Sequence, residues 1–307
     1  MKFNKPIAKG REAWSNEEEH IINKMINQGK TLKEIKKSLP HRSPISLKAK
    51  IRRMRFKQDK YGSDHRKEKY DLTRKWLVSI KPEKVFEGFA GEGKSTLIYL
   101  ESDSVKEIHS CEINKKVFDK LLKNLSKKLE IKFKKMEKYN LNVFFGKYNG
   151  KNIFLVNEDS QKWAARLYSY NKTFDFLDLD TCGTVLPSLN NYLKIIRNGY
   201  FLLTLGEFHS YRFGRKDALI KSNPLMFKEL TSNKNSKKVT VDEFYNGMIA
   251  WIYLVGSQTI SYNELREINL KEKVILGKGI CRVFFSVKKA DSLAKILNNT
   301  SSYLKAN

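Results

Sequence analysis

The spacing of apolar residues changes partway along this chain, and the change divides it. Up to residue 56 the apolar positions Trp14, Ile21, Ile22, Met25, Leu32, Ile35, Leu39, Leu47 and Ile51 recur at helical spacing and suffice for one small core. Ser15 with Glu18, and Thr31 with Glu34 after a Gln28-Gly29 stop, are two capping boxes that open the first two helices. Ser43 followed by Pro44 opens a third, because a cap hydroxyl and a first-turn proline suit a helix entrance. Beyond Lys84 short apolar runs alternate with amphipathic stretches. Strands are expected at the start of Lys84–Leu97, at Val105–Cys111, Asn152–Val156, Phe174–Asp180 and Tyr200–Leu205. A helix over Asn114–Leu125, another around Val241–Val255, and strands over Ile260–Leu270 and Ile280–Lys288 complete the pattern. Such alternation predicts an α/β domain. The expected division is a helical domain over 11–56, a basic and partly helical linker over 57–75, an α/β domain over 76–290 and a tail over 291–307.

The segment KVFEGFAGEGKSTL, Lys84 to Leu97, carries the chemistry, since a strand there ends in glycines and opens a helix. It reads in two ways. Gly88 to Ser95 fits G-x-x-x-x-G-K-S, the P-loop, in which Lys94 and Ser95 would hold a triphosphate and its magnesium. Glu87-Gly88-Phe89-Ala90-Gly91-Glu92-Gly93 instead resembles motif I of class I S-adenosylmethionine-dependent methyltransferases. Glu112, about twenty residues on at the end of the second strand, stands where a Rossmann-like unit places its ribose-binding acid. An ATPase has no use for a carboxylate there.

The methyltransferase resemblance continues downstream. CEINKKVFDKLLKNL resembles the second motif, and Asn157-Glu158-Asp159 the third, whose acid or amide accepts from the adenine amino group. A reversed last strand after a helix resembles the closing hairpin of the class. The resemblance implies a Rossmann-like class I methyltransferase core that binds S-adenosylmethionine through Glu87, Gly88, Phe89, Ala90, Gly91, Gly93, Glu112, Ile113 and Asp159. Within the class, Lys84 to Thr204 resembles the tRNA guanine-N2 methyltransferases, whose fourth-strand loop is D-x-D-P-F-G-x-P. Here that loop reads Asp178-Leu179-Asp180-Thr181-Cys182-Gly183, so Thr181 and Cys182 replace the proline and aromatic that would shape the base pocket. By analogy Asp178 and Asp180 would accept from an exocyclic amine as it attacks the methyl group. Cys182 raises a second chemistry, because cytosine-C5 methyltransferases place a nucleophilic cysteine after this strand. Their Pro-Cys is absent, so an inert buried thiol is the first reading of Cys182, a part of the pocket the second and a nucleophile the third.

Charge supplies the partner. The chain of 307 residues has a formal net charge of +27, a surplus that favours a polyanion through counterion release. About half of it lies before residue 76. W-S-x-E-E, G-K-T-L-K-E-I and L-P-H-R-S in the amino-terminal unit resemble a Myb/SANT-like helix-turn-helix, which implies DNA, with Arg42, Ser46, Lys48, Lys50, Arg52, Arg53 and Arg55 facing it. Ile51 takes a position where that family often has its last core tryptophan. Arg212 and Arg215, interleaved with aromatics after the fifth strand, suit an unstacked base. Three unpaired cysteines and scattered histidines suggest neither disulfides nor a metal site, and hence a reducing, intracellular setting. No apolar run is long enough to cross a membrane.

The expected function is therefore an S-adenosylmethionine-dependent nucleic-acid methyltransferase acting at an exocyclic amine, on DNA in preference to tRNA. Three alternatives stand beside it: a DNA-dependent ATPase using Lys94, Ser95 and Asp180; a non-catalytic DNA-binding regulator on a degenerate methyltransferase fold; and a tRNA methyltransferase.

Overall fold

The computed structural model describes residues 14–61, 65–137, 142–181, 184–208, 240–258, 266–276 and 279–290, with the backbone alone for 27, 52–53, 55–61 and 65–66. Two compact units divide the chain between Arg66 and Lys67.

In the first unit α1 (Asn16–Asn27), α2 (Leu32–Ser38) and α3 (Pro44–Tyr61) enclose Ile22, Ile35, Leu39, Leu47, Ile51 and Met54. Both capping boxes form, with Ser15 and Thr31 each accepting from the backbone three residues on and receiving the glutamate in return. Ser43 Oγ accepts from the Ser46 amide at 3.1 Å and so opens α3.

The second unit is a nine-stranded sheet with helices on both faces. Its strands are β1 (Lys84–Glu87), β2 (Glu107–Cys111), β3 (Lys134–Lys135), β4 (Val143–Tyr148), β5 (Lys151–Val156), β6 (Phe174–Leu179), β7 (Ile196–Leu205), β8 (Arg266–Leu276) and β9 (Ile280–Lys289). Their order is β3-β4-β5-β2-β1-β6-β7-β9-β8. The five strands β5-β2-β1-β6-β7 are parallel, and β9 runs antiparallel between β7 and β8. This is the Rossmann-like arrangement, in which strand order reverses at β1 and β6 and opens a crevice at their carboxyl ends.

One face of the sheet packs on α4 (His65–Ile80), α5 (Lys94–Glu101) and α6 (Lys115–Leu129), the other on α7 (Ser160–Ser169), α8 (Leu189–Leu193) and α9 (Val241–Gln258).

Three segments depart from the sequence reading. The segment expected as a partly helical linker over 57–75 is helical throughout its described residues: α3 runs on to Tyr61, and α4 from Lys67 onward lies in the second unit. Trp76 and Leu77 of α4 are buried, and Trp76 stacks on Phe284 at 4.9 Å while its indole N–H donates to Glu272 at 2.6 Å. Ahead of the strand expected over Asn152–Val156 the structure adds another, β4, and the two form an antiparallel hairpin turned by Asn149 and Gly150 at φ +46° and +77°. Of the strand expected over 260–270, residues 260–265 lie outside the described residues, and the described part, from Arg266, runs on past 270 to Leu276. Lys271, Glu272 and Lys273 disguise its second half, because β8 is an edge strand whose pairing slips between Leu270 and Glu272.

Candidate cofactor and catalytic site

The glycine segment turns at the carboxyl end of β1, in the crevice beside β6. The Gly88 amide donates to the Asp178 carbonyl at 2.9 Å, and the Ala90 amide to the Cys111 carbonyl at 2.8 Å, so the loop is tied to both neighbouring strands. Gly93 caps α5 in the left-handed region at φ +88°, and a Cβ there would stand 2.6 Å from Leu121. Only glycine fits. Gly91 is also left-handed, at φ +54°, but a Cβ there would meet nothing within 4 Å, so the loop's outer side is open.

Glu112 follows β2 and turns over this loop. One oxygen accepts from the Gly91 amide at 3.2 Å and the other from the Asn114 amide at 2.7 Å. Asn157, after β5, donates to the Glu112 and Ile113 carbonyls at 2.8 and 3.2 Å, fixing that turn from the next strand. Ile113 is 66% exposed, and Phe89 is half-buried against the core beside Tyr192. The neighbouring Asp159 caps α7 by accepting from the Gln161 amide at 2.7 Å. The donor set fits S-adenosylmethionine: an acid for ribose hydroxyls, open glycine backbone and an apolar face for an adenine. It suits a triphosphate badly, because the Gly91 N–H that would meet a phosphate already points at a carboxylate.

Behind the loop lies a row of acids on the face covered by α4 and α5. Glu87 is 2% exposed and accepts from Thr96 Oγ1 at 2.6 Å and Ser110 Oγ at 2.7 Å. Burial pushes its carboxyl up to about 7, against the pull of those two hydroxyls. Both hydrogen bonds go to the same oxygen, Oε2. Asp178, paired in register with Glu87, is also 2% exposed; Tyr99 donates to one oxygen and Arg282 stands 3.4 Å from the other. Burial raises the Asp178 carboxyl, with Arg282 opposing.

Asp178 is thus enclosed on its face of the sheet by Tyr99 and Arg282. Asp180 is the acid at the lip, 24% exposed and paired with Lys69 of α4. Cys182 lies outside the described residues, as do Arg212 and Arg215. Cys111 and Cys281 are buried, and burial pushes the Cys281 thiol up to about 12.

Sequence reasoning missed α4 and Arg282. A lone arginine within the apolar run of β9 was the available signal.

In the first unit Lys48 is exposed and Ser46 half-exposed on α3, and Ile45 is 83% exposed beside them. Arg42 departs from expectation. Its guanidinium is bound to Glu18 at 2.6 and 2.8 Å and lies 4.5 Å over Trp14, so it buttresses the core. Lys50 pairs with Glu19. The side chains of Arg52, Arg53 and Arg55 are outside the described residues.

No protein-family model matches the sequence, and no curated protein matches it. Among solved structures, Trm1 from Pyrococcus horikoshii, in complex with S-adenosyl-L-methionine, aligns with 75% of this chain and 56% of its own at 14% identity and a TM-score of 0.61. The chain thus spans little more than half of that protein, and the likeness shows the Rossmann-like fold. An O-methyltransferase from Bacillus cereus in complex with SAH aligns at 12% identity over 71% of this chain and 80% of its own, with a TM-score of 0.43. The Methanococcus jannaschii fibrillarin pre-rRNA processing protein aligns at 10% identity over 67% of each chain, with a TM-score of 0.41. None of the described helices is long and apolar enough to cross a membrane, and no group of metal-binding side chains occurs among the described residues.

Proposed function

We propose that the chain is an S-adenosylmethionine-dependent methyltransferase that modifies a nucleic-acid base at an exocyclic amine. The observation that carries this reading is the Glu112 carboxylate held against the Gly91 amide, an acid aimed at a glycine loop with an open outer side. The solved Trm1 structure with S-adenosyl-L-methionine, which shares the fold, supports the same cofactor. The net charge of +27 supports a nucleic-acid substrate.

In this reading Glu112 accepts from the ribose hydroxyls, Ile113 and Phe89 flank the adenine, and the backbone from Gly88 to Gly93 gives the methionine end close approach. When bound, the cofactor supplies an electrophilic methyl group, and the protein's task is alignment. Asp180, at the lip of β6, accepts from the incoming amine. Glu87 and Asp178 shape the ground behind the loop. The helical unit, with Lys48 and Ser46 displayed on α3, serves as a Myb-like duplex reader and favours DNA. The resemblance of the fourth-strand loop to tRNA guanine-N2 enzymes favours RNA, and substrate assays decide between them.

Two measurements test the proposal. Calorimetry is expected to show S-adenosylmethionine binding that weakens about ten- to a hundredfold in Glu112→Ala, the cost of losing hydrogen bonds to a charged acceptor. Lys94→Ala is expected to leave it unchanged. Magnesium-dependent ATP binding lost in Lys94→Ala would restore the ATPase reading. Incubation of duplex DNA and of bulk tRNA with labelled S-adenosylmethionine, followed by nucleoside mass spectrometry, would identify the substrate. Cofactor binding with no labelled nucleoside would favour the non-catalytic regulator.

A further inference from the structure

Lys69 belongs to the segment expected to be a linker, yet its contacts lead to the loop that follows β6. Its ammonium pairs with Asp180 Oδ2, the two side chains being 18% and 24% exposed. Its backbone is held separately. The Lys69 carbonyl accepts from Arg282 Nη1 at 2.7 Å and from Thr73 Oγ1 at 2.9 Å, and Arg282 Nη1 also reaches Thr73 Oγ1 at 2.8 Å. The same guanidinium places Nη2 at 3.4 Å from Asp178, two residues before Asp180. It is 1% exposed and lies 5.6 Å from the Trp76 ring.

This differs from an ordinary surface ion pair, which gains little because two long side chains must be ordered in high dielectric. Here one buried arginine fixes both the point where the lysine leaves α4 and the strand from which the aspartate emerges. Less freedom remains to be lost when the pair forms, and its partial burial weakens screening.

We propose that Lys69 is a positioning residue for the fourth-strand loop: it holds the Asp180 carboxylate by Oδ2 and leaves Oδ1 to accept from the incoming amine. The catalytic half of this statement rests on the methyltransferase reading. The tether itself does not.

The test uses the full chain with Lys69→Met, which removes the ammonium and keeps the stem, and with Lys69→Arg. Amide hydrogen exchange without ligand is expected to quicken about tenfold at Thr181 and Thr184–Leu186 in Lys69→Met, with β6 and α4 unchanged and Lys69→Arg restoring protection. Unaltered exchange in the loop would overturn the tether, and so would a loss of protection throughout α4, which would make Lys69 a helix-holding residue. On whichever of duplex DNA or tRNA accepts label, Lys69→Met is expected to lower kcat at least tenfold and keep KM for S-adenosylmethionine within about twofold, with Lys69→Arg recovering most of the rate. An equal loss in KM would overturn the positioning role. A wild-type protein that labels neither nucleic acid would overturn the functional reading instead, and the exchange experiment would still decide the tether.

Discussion

Glu207 follows β7 with its carboxyl 4% exposed, and neither oxygen makes a well-formed hydrogen bond among the described residues. Burial pushes it from 4.5 up to about 7, and Thr184 offsets only part of that. The folded chain therefore holds this proton more tightly than the unfolded chain. Its contribution to stability is complete below about pH 4.5, is lost as pH rises toward 7, and stays lost above. The shift corresponds to roughly 3 kcal/mol. Glu207→Gln, which cannot ionise, is expected to raise the unfolding free energy by about 2 kcal/mol near pH 8 and to change it little near pH 5. Urea unfolding at the two pH values checks this, and an equal effect at both would show that the charge is not the cause. Glu87 shares the same direction through burial, but Thr96 and Ser110 bind it, so the corresponding gain in Glu87→Gln should be smaller.

At the scale of elements, local chemistry was legible where it is self-contained. Both capping boxes, the turn into α5 and the apolar strands β1, β2 and β6 could be read from neighbours in sequence, and the structure forms them. Helix α4 was hidden by its charges. Lys67, Lys69, Arg74 and Lys75 give it a linker's composition, yet Tyr70, Thr73, Trp76, Leu77 and Ile80 recur at helical spacing and form its inner face. The candidate site was legible in part, because the acids were visible and their depth was not. Asp178 and Asp180 look equivalent in sequence, and only the packing of Tyr99 and Arg282 on the first shows that it is buried while the second stays at the lip.

Two substitutions probe these elements. Trp76→Ala removes the stack on Phe284 and the bond to Glu272 and is expected to cost about 3–5 kcal/mol, measured by denaturant unfolding; a loss under about 1 kcal/mol would show that α4 is not packed as described. Gly93→Ala combines a left-handed backbone with a Cβ 2.6 Å from Leu121, and is expected to destabilise by about 2 kcal/mol or more while weakening cofactor binding.

At the scale of the whole molecule, charge and topology each have one consequence. With +27 on 307 residues, nucleic-acid affinity is expected to fall by about a thousandfold or more between about 50 and 200 mM salt. A shallow salt dependence in a filter-binding titration would mean that few phosphates are neutralised. The position of β9 acts during synthesis. Among the described strands it is the last to leave the ribosome, yet it lies between β7 and β8, so neither can complete its hydrogen bonding until β9 has emerged. Until then Phe201, Leu203 and Leu205 sit on an open edge, where another unfinished chain could pair. The interval between the emergence of β7 and that of β9 is thus the one in which this protein is expected to depend most on chaperones.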